Sequence, residues 1–263
     1  MKRKFLVVVP ARMGSKGIKG KNFLDLDGKP VITYSVEHAL GFIEKCDILI
    51  STDHSDFLNK LKGTLQNEFK VNEFKIVDEM EFIGEAIILH RRPARLAEDE
   101  TSIMSVLGEI IKTLESLGRS YIGILLMQPT VPFRSRSDQE RILHFLESEA
   151  AEDSSYVTFK KVTDCHPARM YSRIGSEEFE NAKVFPRHQQ SRRQDLPELF
   201  LRDGCYYFIG RNLILNGIQV LDDPKGFVRE FPWNINLDDE SDLILARASV
   251  DTIRSSFNQG VWL

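Results

Sequence analysis

The residues with the plainest capacity for chemistry lie in VVVPARMGSKGIKGKN, residues 7–22, where Arg12, Lys16, Lys19 and Lys21 stand on a glycine-rich loop directly behind a hydrophobic strand. A glycine-rich turn after a strand presents backbone N–H groups, and neighbouring cations supply the charge a polyphosphate needs. Phosphate binding suits this pattern, although a solvated basic turn would share its composition. The loop is not a Walker A sequence: in SKGIKGKN, Ser15 stands where the first glycine belongs and Asn22 where Ser or Thr belongs. Nor is it GxGxxG. A second polar cluster, NINLDDESD at 234–242, reads as an acidic loop before a closing helix. There Asp239 also reads as a helix N-cap, with Asp242 in the first turn facing the helix dipole. His166 and His188 are the histidines that invite a general-base reading, but HP reads as a turn element and lone histidines mostly serve structure. No Ser/His/Asp or Cys/His pattern points to a covalent nucleophile.

Those groups need a scaffold, and the chain can build one. Its 263 residues are 42% hydrophobic and 28% charged, an ordinary globular composition that excludes collagenous, disordered and disulfide-scaffold classes. A formal net charge of -4 argues against a general nucleic-acid binder, so any basic site is local. No apolar run approaches the roughly 20 residues that cross a bilayer, and Phe5–Val9 is too short for a signal-peptide core. Cys46, Cys165 and Cys205 are odd in number and lack CxxC spacing. A reducing, cytoplasmic setting is expected, with all three thiols as inert packing residues.

Short apolar runs alternate with amphipathic stretches. FLVVV (5–9), CDILIST (46–52), YIGILLMQ (121–128), SSYVTFKKV (154–162) and GCYYFIGR (204–211) read as strands. Residues 31–43, 101–117 and 137–149 read as helices, and 231–253 as a strand, an acidic loop and a closing helix. Continuous apolar strands between helices imply a mostly parallel sheet covered on both faces, with ligands at the carboxyl ends of the strands. From 163 to 200 the texture turns polar and rich in Arg and Gln, which suggests an inserted lobe between a first segment, 1–162, and a last one, 201–263. Residues 53–90 are the least readable part.

Eight blocks in order resemble the acylneuraminate cytidylyltransferases, the enzymes that activate acidic sugars. They are PARMGSKGIKGKN (10–22), STD (51–53), RRPARLAEDETS (91–102), LLMQPTVPFR (125–134), HPARM (166–170), RRQDLP (192–197), DGCYY (203–207) and INLDDESDL (235–243). The resemblance spans nearly the whole chain. It implies an α/β, Rossmann-like three-layer nucleotide-diphospho-sugar transferase fold, with a small lobe that builds a homodimer and closes the partner's site. It also implies transfer of CMP from CTP to the anomeric hydroxyl of a 2-keto-3-deoxy nonulosonic acid, with release of pyrophosphate and use of Mg²⁺ (or Mn²⁺). Arg12, Lys16 and Lys21 would hold the triphosphate on a loop that includes Gly14 and Ser15, while Asn22 and Arg92 would help recognise the nucleotide. Gln128, Thr130, Arg169, Arg193 and Tyr207 would contact the sugar acid, Arg169 and Arg193 through its carboxylate. Asp238 and Asn236 would take the metal.

Each role has a plainer counterpart. Arg92 could be a surface arginine before a proline, Gln128 and Thr130 could shape the turn at Pro129, Arg193 could sit on a dimer rim, and Tyr207 could be core. The sequence also departs from the family's pattern. Asn236 replaces the first carboxylate of an Asp-x-Asp pair, and Arg169 stands where a lysine is common. Leu201-Arg202-Asp203-Gly204 replaces Arg-Pro-Asn-Gly, which shifts an arginine and turns an amide into an acid. Residues 53–90 run long enough to add a hairpin or helix. Two other functions stay open: a nucleotidyltransferase for a sugar or polyol phosphate, and a catalytically silent nucleotide-binding homologue.

Overall fold

A computed structural model describes residues 4–14, 18–70, 74–77, 79–163, 165–182 and 192–257. In chain order the elements are β1 (Phe5–Ala11), β2 (Asp25–Leu26), β3 (Lys29–Pro30), α1 (Val31–Leu40), β4 (Cys46–Thr52), α2 (Ser55–Phe69), β5 (Phe74–Val77), β6 (Met80–Ile83) and β7 (Ile87–Arg91). They continue with α3 (Ile103–Ser116), β8 (Gly123–Met127), α4 (Arg136–Ser148), β9 (Ser155–Lys161), β10 (Tyr171–Arg173), β11 (Phe179–Asn181), β12 (Phe200–Gly210), α5 (Arg211–Leu215), β13 (Lys225–Val228) and α6 (Glu240–Phe257).

Nine strands form one sheet in the order β13-β9-β12-β8-β1-β4-β7-β6-β5. Its centre, β8-β1-β4-β7, is parallel throughout. β12 runs antiparallel between β8 and β9, and β5 and β6 form an antiparallel hairpin beside β7. The centre is covered on both faces, as its unbroken apolar strands require. Along β1, Val7 and Val9 pack with α1, α2 and α4 residues such as Val36, Leu58 and Phe145. Leu6 and Val8 point the other way, toward Leu107, Ile110 and Ile111 of α3 and Leu213 of α5. A third cluster seats α6 through Leu243, Ala246 and Val250 on Leu26, Tyr34, Phe133, Ile235 and Leu237. The result is the three-layer α/β fold expected from the sequence.

Two readings need correction. FPWNIN is not a strand: residues 231–237 form turns and loop, with Ile235 and Leu237 buried against α6 instead of in the sheet. Pro232 brings no N–H to a ladder there, and the edge strand is β13, which pairs with β9. Cys46 and Cys205 are buried as packing residues, but Cys165 is exposed. The opaque 53–90 region folds as α2 and the β5–β6 hairpin, followed by β7.

Residues 163–200 span the connection from β9 to β12. The chain leaves and re-enters at one point, where Phe200 pairs with Lys161 and the Val162 N–H donates to the Leu199 carbonyl at 2.9 Å. Between them lies the β10–β11 hairpin. No helix among the described residues is long and apolar enough to cross a membrane.

Candidate active site

The carboxyl ends of β1, β7 and β8 open into a cleft of about 440 Å³, within the range of small-molecule sites. One wall comes from the chain after β1. Met13 N–H donates to Asp53 Oδ1 at 2.8 Å, which ties the start of the loop to the end of β4. Asn22 Nδ2 donates to the Arg12 carbonyl at 3.2 Å and closes the loop from its far side. Gly20, at φ +66°, turns the backbone into a short 3-10 segment, Lys21–Phe23, that aims Lys21 at the cleft. Ser15 and Lys16 lie outside the described residues.

Arg92 forms the same wall from the end of β7. Its Nε donates to Ser51 Oγ at 3.1 Å and its Nη2 to the Ser51 carbonyl at 3.0 Å, so two donors are fixed while the side chain still reaches the cleft. Burial pulls its pKa down to about 10, partly offset by the nearby Asp53 carboxylate. The guanidinium therefore stays charged at neutral pH. His90, bonded to Ser51 through Nδ1 at 3.0 Å, is pushed down to about 4 by burial and then by Arg92. It is neutral and adds no charge beside the arginine. Leu96, Ile103 and Val106 give the cleft an apolar side.

The opposite wall is Gln128, Pro129 and Thr130, which leave β8, together with Asn236 and Asp238. The Leu237 N–H donates to the Thr130 carbonyl at 2.7 Å and fixes these two segments together. Across the cleft, Lys21 Nζ donates to the Leu237 carbonyl at 3.1 Å and pairs with Asp238 Oδ1 at 3.2 Å. Asn236 Nδ2 donates to Asp238 Oδ2 at 2.7 Å. Arg12 pairs with Asp99 at 2.7 Å, so two cations of the cleft are held by internal carboxylates. Asp239 caps α6: its Oδ1 accepts from the Asp242 N–H at 3.1 Å, and Asp242 Oδ2 accepts from the Asp239 N–H at 3.0 Å. Hydrogen bonds from Ser241 and the Asp242 backbone lower the Asp239 pKa.

Two side-chain oxygens, Asn22 Oδ1 and Asn236 Oδ1, are buried without a hydrogen-bond partner among the described residues. Both belong to residues of the cleft. Each amide nitrogen already has an acceptor, which pins the orientation and leaves the oxygen open to a donor or a cation. Among the described residues no three His, Cys, Asp or Glu side chains converge as a metal cage. The donor set that does exist, the Asp238 carboxylate and the Asn236 carbonyl, is all hard oxygen. It fits a Mg²⁺ or Mn²⁺ ion that takes its remaining ligands from substrate and water.

Arg12, Gly14, Lys21, Asn22, Arg92, Gln128, Thr130, Asn236 and Asp238 thus share one cleft. Arg169 and Tyr207 do not line it. Arg169 sits exposed in the 3-10 turn Pro167–Arg169, and Arg193 begins the turn Arg193–Asp195. Tyr207 packs in the core with Leu126, Leu107 and Ile209, where it is 7% exposed. This corrects its reading as a pocket residue: alternation along β12 turns it into the α3 face of the sheet. His166 has structural partners on both ring nitrogens, accepting from the Ala168 N–H at 3.1 Å and meeting the Pro197 carbonyl at 3.2 Å. The sequence reading missed Glu98 and Thr101 in the lining, the Asp99 partner of Arg12, and the Asp53 anchor. All four fall within quoted blocks, but nothing in their types marked which would face the cleft.

A glycine-rich cationic loop behind the first strand, a cleft across the parallel strand ends and an acidic rim before the last helix are set on a three-layer α/β fold. Residues 6–78 match the family model described as Cytidylyltransferase. The chain is 31% identical over 134 residues to an N-acylneuraminate cytidylyltransferase of Escherichia coli, which covers 51% of this chain and 26% of that protein. It is 26% identical over 209 residues to a pseudaminic acid cytidylyltransferase of Campylobacter jejuni, 78% of either chain. A CMP:2-keto-3-deoxy-manno-octonic acid synthetase complexed with CTP superimposes with a TM-score of 0.61 at 18% identity, over 95% of this chain and 99% of that one, and shares the fold. The resemblance read from the eight blocks is borne out by these relatives, although this chain spans only about a quarter of the length of the Escherichia coli protein.

Proposed function

We propose that this protein is a cytidylyltransferase that moves CMP from CTP to the anomeric hydroxyl of a 2-keto-3-deoxy nonulosonic acid, of the sialic, legionaminic or pseudaminic kind. The observation that carries the proposal is the single cleft with Arg12, Lys21 and Arg92 on one wall and Gln128, Thr130, Asn236 and Asp238 on the other. The names of the relatives point the same way. Arg12 and Lys21, joined by Lys16, would bind the triphosphate, and Arg92 and Asn22 the nucleoside. The hydroxyl oxygen attacks the α-phosphorus, the bond to the β-phosphate bridge breaks, and pyrophosphate leaves with the electron pair while the hydroxyl proton passes to solvent. Mg²⁺ or Mn²⁺ held at Asp238 and Asn236 would neutralise charge on the phosphates. The protein's own share is positioning and fixed charge, which suits phosphoryl chemistry.

The exposed apolar residues Tyr171, Ile174 and Phe179 of the β10–β11 region and Leu201 at the root of the lobe support a homodimer. Arg169, which lies outside the lining of its own chain's cleft, and Arg193 would then serve the partner's site and grip the substrate carboxylate. Guanidinium suits that task. A cytoplasmic location fits a CTP-consuming step.

The test is pyrophosphate release from CTP and Mg²⁺ over a panel of nonulosonic and octulosonic acids, with sugar phosphates as controls. Release with one acid and its loss in Asp238→Ala would support the reading. Release with a sugar phosphate alone would favour that other acceptor class, and CTP binding without turnover of any acceptor would favour a silent homologue.

A further inference from the structure

Beneath the Gln128–Asp238 wall lies a buried ion cluster that the reaction does not use. Arg229, with its side chain 0% exposed, donates from Nε to Asp138 Oδ2 at 3.0 Å and from Nη1 to Asp203 Oδ2 at 2.9 Å. Its Nη2 donates to the Phe133 carbonyl at 2.7 Å and the Trp233 carbonyl at 2.6 Å. Asp203 is equally sealed, with Oδ1 accepting from Thr158 Oγ1 at 2.6 Å and from the Cys205 N–H at 3.0 Å. Asp138 Oδ2 also accepts the Ser135 N–H at 3.1 Å, which caps α4. Burying such charges costs several kcal/mol per ion before pairing, and an apolar core of the same volume is often as stable. Stability alone is a weak reason for the cluster.

What the cluster does hold is geometry. Arg229 binds four chain segments at once: the loop leaving β8 through Phe133, α4 through Asp138, the irregular part of β12 through Asp203, and the 233–238 segment through Trp233. Asn234 Nδ2 returns to the Arg229 carbonyl at 3.3 Å. Next to Asp203, Gly204 adopts φ +81°, and a Cβ there would stand 3.2 Å from Gln128 Oε1 and 3.9 Å from the Asn236 Cγ. Arg134, beside the cluster, donates to the Gln128 carbonyl at 2.8 Å and the Cys205 carbonyl at 3.3 Å. The departure at Asp203 therefore does not put an acid into the cleft. Its carboxylate turns inward to Arg229, and only the neighbouring Gly204 touches a cleft residue.

The opposite wall is anchored elsewhere, through Asp53, Ser51 and Asn22. We propose that Arg229 and Asp203 are positioning residues for the acceptor wall of the cleft: they fix Gly204 under Gln128 and set the Asn236–Asp238 segment, while Arg12 and Arg92 on the other wall are anchored through Asn22, Asp53 and Ser51 and meet this wall through Lys21. This rests on the assignment of Gln128 to the sugar acid made above.

Four variants test it: Arg229→Lys, Arg229→Met, Asp203→Asn and Gly204→Ala. Asp203→Asn keeps a carbonyl oxygen for Thr158 and Cys205, and Gly204→Ala leaves the ion cluster intact, so the question survives if Arg229→Lys does not fold. The first readout is independent of turnover: the side-chain amide resonances of Gln128, Asn236 and Asn22 in two-dimensional NMR. The Gln128 and Asn236 signals are expected to shift in all folded variants while Asn22 stays in place. The second is steady-state kinetics, where KM for the acid rises 10- to 100-fold, as expected for misplacement near 1 Å, and KM for CTP, which meets this wall only through Lys21 and the 236–238 segment, rises about 5-fold at most. Arg229→Lys, which keeps the charge on a single donor nitrogen, retains more acid affinity than Arg229→Met. Unmoved Gln128 and Asn236 signals overturn the proposal, as does an equal loss for acid and CTP. Shifted signals in a protein that turns over no acid leave the positioning role standing and refute the reaction assignment instead.

Discussion

Replacing Asp238 by Asn should strengthen nucleotide binding when no metal is present. Asp238 pairs with Lys21 at 3.2 Å, with side chains 67% and 20% exposed, so the cation meant for the triphosphate is already engaged. Triphosphate must displace that contact unless a divalent ion takes the carboxylate first. An ion pair this open to water is worth about 0.2–1 kcal/mol. Freeing Lys21 should therefore tighten CTP about 1.4- to 5-fold. The assay is calorimetric titration of CTP in EDTA at low ionic strength, where screening is least, on wild type, Asp238→Asn, Lys21→Met and the double variant. The gain should vanish in the Lys21→Met background, because the effect acts through that ammonium. With Mg²⁺ restored, Asp238→Asn should gain less from the metal than wild type does. An unchanged or weaker metal-free affinity, or an equal gain without Lys21, would refute the coupling.

Other expectations follow from the same geometry. His90 is held neutral, its pKa lowered from 6.5 to about 4 by burial, so the unfolded chain binds the extra proton first. Stability from this group is complete above pH 6.5 and is lost as pH falls toward 4, by roughly 3 kcal/mol in all. Buried His38, bonded to Tyr206 and also lowered, adds a loss of the same sign. Urea midpoints between pH 7 and 4 should show the fall, and His90→Gln should flatten it. Asn236→Asp would set two carboxylates at the present 2.7 Å contact, so Mn²⁺ should bind the nucleotide-free variant about tenfold or more tightly than wild type, as read by electron paramagnetic resonance. A lack of any gain would remove Asn236 from the metal site. Asp239→Ala removes the α6 cap bonded to the Asp242 N–H and should cost about 1 kcal/mol, a fall in Tm of roughly 2–4 °C for a chain of this size.

The fold and one wall of the cleft were legible because their signals are local. A continuous apolar strand ending in a glycine-rich cationic loop defines β1 and the Arg12–Asn22 wall whatever the rest of the chain does. Asp239 and Asp242 read as a helix start because capping is a contact over three residues. Tyr206 and Tyr207 show where such reasoning stops. Both are buried in a strand covered on two faces, one in the α1 and α4 core and the other in the α3 core, and no polar alternation marks which faces what. The 231–237 stretch reads as a strand, but its apolar residues answer to α6. Arg229 carried no sequence signal at all, since an arginine between Val228 and Glu230 looks solvated until the fold closes over it. Arg92 and Asp238 came from motif order, and only the structure brings them to one cleft.

The most direct measurement uses the acceptor acid labelled with ¹⁸O at its anomeric hydroxyl, incubated with CTP and Mg²⁺ and followed by ³¹P NMR and mass spectrometry. Direct attack on the α-phosphorus predicts a CMP ester with ¹⁸O in the bond between sugar and phosphorus, together with unlabelled pyrophosphate in equal amount. A CMP product without the label, or pyrophosphate formed at the same rate with no acid present, would contradict the account.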